Sequence, residues 1–124
     1  MSFNGQNDQS ERREYPRVPV DFLVTFKVLE KSSPEEVATA LDISVGGVGL
    51  LASAEISSPE GRAQISLTFD LPCLSGESRP VSATGEVRYC LKLTEENRYR
   101  VGVKFLQIAD EDKLAIADFV RMRY

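Results

Sequence analysis

Two short stretches of this chain hold residue types that could do chemistry: Arg12, Arg13 and Arg17 in one, and Asp42, Ser44, Gly46 and Gly47 in the other. A guanidinium is a planar fork that makes paired hydrogen bonds to phosphate or to the N7/O6 edge of guanine, and its face stacks on flat rings. A carboxylate accepts hydrogen bonds, and a hydroxyl both donates and accepts. Glycine admits φ > 0 or the close approach of a ligand, because it has no Cβ. The run Asp42-Ile43-Ser44-Val45-Gly46-Gly47-Val48-Gly49-Leu50 therefore reads as a polar shelf at a strand end, facing something flat and rich in hydrogen-bonding groups. Taken alone, it also reads as a tight turn, since Asp, Ser and Gly favour turns for purely local reasons.

The arginine stretch has its own constraint. Arg13 and Arg17 are four residues apart, which on a helix would place them on one face. Pro16 between them clashes with a preceding helical turn and pushes Tyr15 into an extended conformation. The pattern predicts an extended arm over residues 12–17, with Arg13 and Arg17 up to roughly 13 Å apart at about 3.3 Å per residue. That span suits two parts of one elongated anion. On its own, the same cluster is what a solvated charged segment before a strand looks like.

The elements that must hold these stretches are legible as alternation. Val20, Phe22, Val24, Phe26 and Val28 alternate with Asp21, Leu23, Thr25 and Lys27, predicting a first strand. Val37, Thr39, Leu41 and Ile43 are expected to line one side of a second, leaving Asp42 and Ser44 together on the other. Residues 48–52 read as a short third strand, and Ile65, Leu67, Phe69 and Leu71 mark a fourth. A long fifth runs from Val81 to Leu91 with Gly85 as a bulge or bend. Tyr99, Val101, Val103 and Phe105 mark the sixth. Residues 110–123 read as a helix with Asp110 as N-cap, Glu111 and Asp112 at its start, and Arg121 and Arg123 at its end. Ile116, Phe119 and Val120 form its apolar face, with Leu114 nearer the polar side. Six alternating strands and one helix predict an all-β small antiparallel barrel, a closure that removes edge strands, with the C-terminal helix over one end.

Composition narrows the function. At 124 residues the chain is expected to be one domain: a flexible tail over 1–11, the arm, a barrel over 18–106 and the helix over 110–123. It has no histidine, which removes the commonest general base and the Ser-His and Cys-His nucleophile arrangements. There is no phosphate loop of the G-x-x-x-x-G-K type. We expect neither an enzyme nor a cofactor. Cys73 and Cys90 lack metal-ligand spacing, so free thiols and no metal are expected. A net charge of −4 argues against nucleic acid, which needs many Lys and Arg to neutralise phosphates. No apolar run is long enough to span a bilayer and residues 1–10 do not look like a secretory signal, so a cytoplasmic protein without membrane insertion is expected.

Taken together, the two stretches resemble the PilZ domain family, bacterial receptors for the second messenger cyclic di-GMP. The family pattern is an R-x-x-x-R arm, a strand, then [D/N]-x-S-x-x-G, matched here by Arg13 and Arg17 and by Asp42, Ser44 and Gly47. The run Tyr99-Arg100-Val101-Gly102-Val103-Lys104-Phe105 also looks like the family's penultimate barrel signature. The resemblance covers residues 12 to about 121 and implies a six-stranded barrel with the ligand on its outside. It implies that Arg13 and Arg17 bind phosphate and the guanine Hoogsteen edge, that Asp42 accepts from guanine N1–H and the amino group, that Ser44 bonds a base or phosphate, and that Gly46 and Gly47 leave room. Arg12 stands where relatives that bind an intercalated pair of ligands carry arginine, implying two dinucleotides per domain. Ordering of the arm would signal to an effector protein, with this chain expected to be a monomer in biofilm or motility control. The alternative within the family is a pilus- or motility-related adaptor that binds protein and no nucleotide. Arg88, Tyr89 and Arg100 are further candidates on neighbouring strands.

Overall fold

Where apolar and polar residues alternate, a strand turns one face to a common core and the other outward. The computed structural model describes residues 15–29, 34–56, 61–93 and 97–124; the expected tail over 1–11 and Arg12 and Arg13 of the expected arm lie outside them. Among the described residues the strands are β1 (Val18–Pro19), β2 (Leu23–Val28), β3 (Glu36–Ser44), β4 (Gly47–Ala52), β5 (Gln64–Pro72), β6 (Ser78–Lys92) and β7 (Tyr99–Ile108), followed by the helix α1 (Asp110–Arg123). All pairings are antiparallel, in the order β1-β3-β2-β5-β6-β7-β4, and β4 pairs back onto β3. The last pairing closes β2 to β7 into a six-stranded barrel, as the alternation predicts.

Val24, Ile43, Leu50, Ile65, Leu67 and Val101 are among the side chains almost wholly withdrawn from water inside it. The first strand differs from expectation. It begins at Val18, which pairs with Ile43, and breaks over residues 20–22 before β2 resumes on the same side of β3. The break is bridged by the Val20 N–H donating to the Leu41 carbonyl at 3.0 Å and the Ala40 N–H donating to the Phe22 carbonyl at 2.8 Å. β1 is thus the anchor that fastens the arm to β3.

The inward side of β3 also differs. Ala38 and Ala40 face the core, while Val37 is exposed and Thr39 and Leu41 are half-buried. A register shift between Ala40 and Asp42 inserts an extra residue, so the alternation changes phase and Ile43 turns inward as expected. Small side chains suit this stretch, since Phe26 of β2 pairs next to it and fills the adjoining core. In β6 the expected irregularity at Gly85 is present, with a shift between Thr84 and Gly85. A second shift between Val87 and Tyr89 turns Tyr89 and Leu91 outward.

α1 buries Ile116, Phe119 and Val120 and packs against β3. Leu114 is 67% exposed, in keeping with its place near the polar side. The N-cap is Ala109, in extended conformation and without a side-chain cap, so Asp110 is the first helical residue and not the cap. The first turn is instead fastened by Asp112, whose Oδ1 pairs with Arg79 of β6 at 3.0 Å, and its acidic residues suit the positive end of the helix dipole. Cys73 and Cys90 are free thiols. No helix among the described residues is long and apolar enough to cross a membrane.

These burials predict an asymmetry between two leucines. Leu67→Ala, at 1% exposure, is expected to cost about 2–5 kcal/mol of stability through the cavity it leaves. Leu114→Ala is expected to stay within about 0.5 kcal/mol. Urea unfolding of both variants checks this, and similar losses would contradict the assigned helix face.

Candidate functional site

The polar shelf is built by the hairpin of β3 and β4. Ser44 is 3% exposed, and its Oγ accepts the Gly46 N–H at 3.1 Å, the local hydroxyl-to-backbone bond that turns are made of. The turn reading of this stretch is therefore realised at Ser44, whose acceptor function serves the hairpin. Past the turn, the Gly46 carbonyl accepts the Phe105 N–H at 2.9 Å, and Gly47 pairs with Lys104. A Cβ on Gly47 would collide with the Val103 carbonyl oxygen. None of Gly46, Gly47 and Gly49 has positive φ. Glycine is needed here for the approach of one strand to another, not for an unusual backbone angle.

One step along the strands, Asp42, Gly49, Gly102 and Tyr89 stand opposite one another across β3, β4, β7 and β6. The two glycines make the middle of this row flat. A Cβ on Gly49 would meet Asp42 Oδ1 at 2.8 Å, and one on Gly102 would collide with the Tyr89 ring. The carboxylate and the phenol ring thus lie over glycine backbone from opposite ends. Arg17 Nη1 donates to Asp42 Oδ1 at 2.7 Å, and Arg100 Nη2 to Oδ2 at 3.3 Å. Each carboxylate oxygen has one guanidinium partner. The ion pairs are accessible, with the side chains of Arg17, Arg100 and Asp42 exposed by 28, 44 and 21%. Two cations around one anion leave this face positive although the protein carries a net −4.

Of the residues singled out by sequence, the structure brings together Arg17, Asp42, Ser44, Gly46 and Gly47, whereas Arg12 and Arg13 lie outside the described residues. Tyr15 lays its ring against Gly46, within 2.9 Å of where a Cβ would sit, so this residue of the arm covers the hairpin turn. Arg100 proves to be a direct partner of Asp42, which the outward parity of Arg100 between Tyr99 and Val101 foreshadows. Tyr89 joins the shelf only because of the β6 irregularity, which no sequence pattern marks. Arg88 points elsewhere, to Glu86 at 3.7 Å.

A family model described as PilZ domain matches residues 11–122. The chain belongs to the PilZ domain family. An uncharacterized protein of Aquifex aeolicus (strain VF5) is 30% identical over 113 residues, 91% of this chain and 50% of that protein. The PilZ fold is shared with the Bacillus subtilis inhibitor of motility MotI/DgrA, at TM-score 0.75 and 21% identity over 90% of this chain and 51% of that one. It is shared also with the PilZ domain of YcgR from Escherichia coli with c-di-GMP (TM-score 0.58, 15% identity, 90% and 91% covered). The K. pneumonia MrkH–c-di-GMP complex gives a TM-score of 0.62 at 17% identity, covering 89% of this chain and 51% of that one. This PilZ chain spans about half the length of its curated relative and of two of these structures.

The glycine geometry predicts a split between two neighbouring positions. In Gly47→Ala the new methyl meets backbone, and a loss of more than about 2 kcal/mol is expected. In Gly49→Ala it meets the end of a movable side chain, so less than about 1 kcal/mol is expected while the Asp42 carboxylate is displaced. Chemical denaturation of the two variants tests this, and a larger loss at Gly49 would overturn it.

Proposed function

We propose that this PilZ domain is a receptor for cyclic di-GMP and that its ligand lies on the Asp42 shelf. The observation that carries the proposal is an outward carboxylate held between Arg17 and Arg100 on a surface flattened by Gly49 and Gly102. A carboxylate offers about four acceptor sites, so Asp42 can keep both arginines and still accept guanine N1–H and the amino group. The arginine forks suit phosphate and the N7/O6 edge. Tyr89, 43% exposed, offers a flat face on which a base can stack. YcgR and MrkH, which share the fold, are solved with this dinucleotide. No protein cofactor and no catalytic step enter this reading.

Arg12, Arg13, Arg17, Asp42, Ser44, Gly46 and Gly47 are the proposed binding residues, with Gly46 and Gly47 shaping the hairpin that carries the shelf. Ligand-induced ordering of the arm over 12–17, with its arginines drawn onto the ligand, is the proposed signal. Bringing those charges onto a dianionic ligand reshapes the face that an effector protein reads. Arg12 supports a second, intercalated dinucleotide. The alternative of a nucleotide-independent motility adaptor draws on the fold shared with an inhibitor of motility. A cytoplasmic setting follows from the receptor reading, since the messenger acts inside the cell.

Isothermal titration with cyclic di-GMP, with GMP and cyclic di-AMP as controls, decides between them. Guanine-selective binding is expected, and no heat with any ligand would leave the adaptor. Arg17→Ala is expected to lower affinity at least about tenfold, equivalent to ~1.4 kcal/mol of binding free energy. The barrel should stay folded, because accessible ion pairs contribute only about 0–1 kcal/mol. Unchanged affinity would remove Arg17 from the site. Arg12→Leu is expected to lower the stoichiometry from two towards one, and an unchanged ratio would dismiss the paired ligand.

A further inference from the structure

A cavity of about 350 Å³ opens beyond the β3–β4 turn, lined by Tyr15, Gly46, Lys104, Phe105 and Lys113 among others. Its volume falls within the range of small-molecule sites, about 300–1,000 Å³. Its lining residues include Tyr15, Phe105 and two lysines, a mixture that suits a ligand with a flat part and an anionic part.

Neither lysine has an ion-pair partner among the described residues, and the reason lies in how the nearby carboxylates are used. Glu86 stands directly opposite Lys104 in the β6–β7 ladder, a position from which opposite charges normally pair. Its carboxylate is instead engaged by Arg62 at 3.6 Å and Arg88 at 3.7 Å. Lys113 follows Asp110, Glu111 and Asp112, but Asp112 is taken by Arg79 at 3.0 Å, and neither Asp110 nor Glu111 lines the cavity. Two like charges on one small cavity repel each other unless an anion comes between them.

The cavity lies beside the shelf, with Lys104 two residues beyond Gly102 on β7. Lys104 pairs with Gly47, the last glycine of the D-x-S-x-x-G motif, and Tyr15 stands two residues before Arg17 on the arm. We propose that Lys104 and Lys113 form a second phosphate-binding subsite in the Tyr15-walled cavity beside the Asp42 shelf. On the receptor reading above, on which this assignment rests, it takes a phosphate of the nucleotide whose guanine lies at Asp42. Lysine suits this task as a mobile point charge, whereas the arginines at Asp42 hold fixed, planar geometry. Because Tyr15 forms one wall, the subsite is complete only when the arm lies over Gly46.

The test titrates the full chain and its Lys104→Gln/Lys113→Gln variant with cyclic di-GMP at low and moderate salt, then with pyrophosphate followed through the NMR signals of the Gly46 and Phe105 amides. The double variant is expected to bind the dinucleotide at least about tenfold more weakly at low salt, where screening is least, and with a shallower salt dependence. Lys104→Arg is expected to stay within about threefold of the parent, which a role in packing alone would not predict. Equal affinity and salt dependence in parent and double variant would overturn the subsite and leave the receptor standing. If the parent ignores cyclic di-GMP but pyrophosphate shifts the two amides in a lysine-dependent way, the receptor fails and the subsite holds for another phosphate ligand. No response to either ligand overturns both.

Discussion

Gly47 lies so close to the Val103 carbonyl that no side chain fits between them, and the closure of the barrel rests on that approach. It lets β4 lie against β7 while the Gly46 carbonyl takes the Phe105 N–H. The same register sets Gly49 opposite Gly102 one step along. A larger residue at position 47 would push the hairpin outward and carry Asp42 and Ser44 with it. The motif glycine thus serves the fold directly. A D-x-S-x-x-G stretch is for this reason a structural signature as much as a chemical one.

Charge is arranged on this frame with economy. Asp42 is one carboxylate with an arginine on each oxygen, one from the arm and one from β7. Both pairs are accessible, so they add little to stability. Their effect is orientation: the carboxylate is fixed outward on a flat floor, and the guanidinium groups are gathered where an anion would meet them. A positive face on a chain of net charge −4 favours a small multivalent anion over a long polyanion, since the acidic remainder of the surface repels an extended backbone.

Much of this was legible in the sequence, for identifiable reasons. β5 alternates without interruption, and Ile65, Leu67, Phe69 and Leu71 all face inward, because a regular strand keeps its period. The motif residues were legible because their types are unusual for a strand end. What stayed hidden lies next to irregularities. The shift between Ala40 and Asp42 reverses the expected faces of Val37 and Thr39, and the one between Val87 and Tyr89 brings a tyrosine to the shelf. Neither shift falls at a glycine of the bulged strand, the mark that makes the one at Gly85 legible. The outward parity of Arg100 is legible, but its choice of Asp42 as partner is fixed by the order of strands around the barrel.

The arm connects the parts of this face. Tyr15 lies on Gly46 and Arg17 on Asp42, and directly after them Val18 pairs with Ile43 in the closed sheet. A segment held at three successive points by one ring contact, one accessible ion pair and one short ladder is fastened to the barrel without being buried in it. Such contacts are individually weak, so a ligand that touches the arm and the shelf together can change the arm's position while the barrel stays fixed. On the receptor reading, the arm is then the part of this face that a ligand could reposition, because the barrel strands are tied to neighbours along their length and the arm is not.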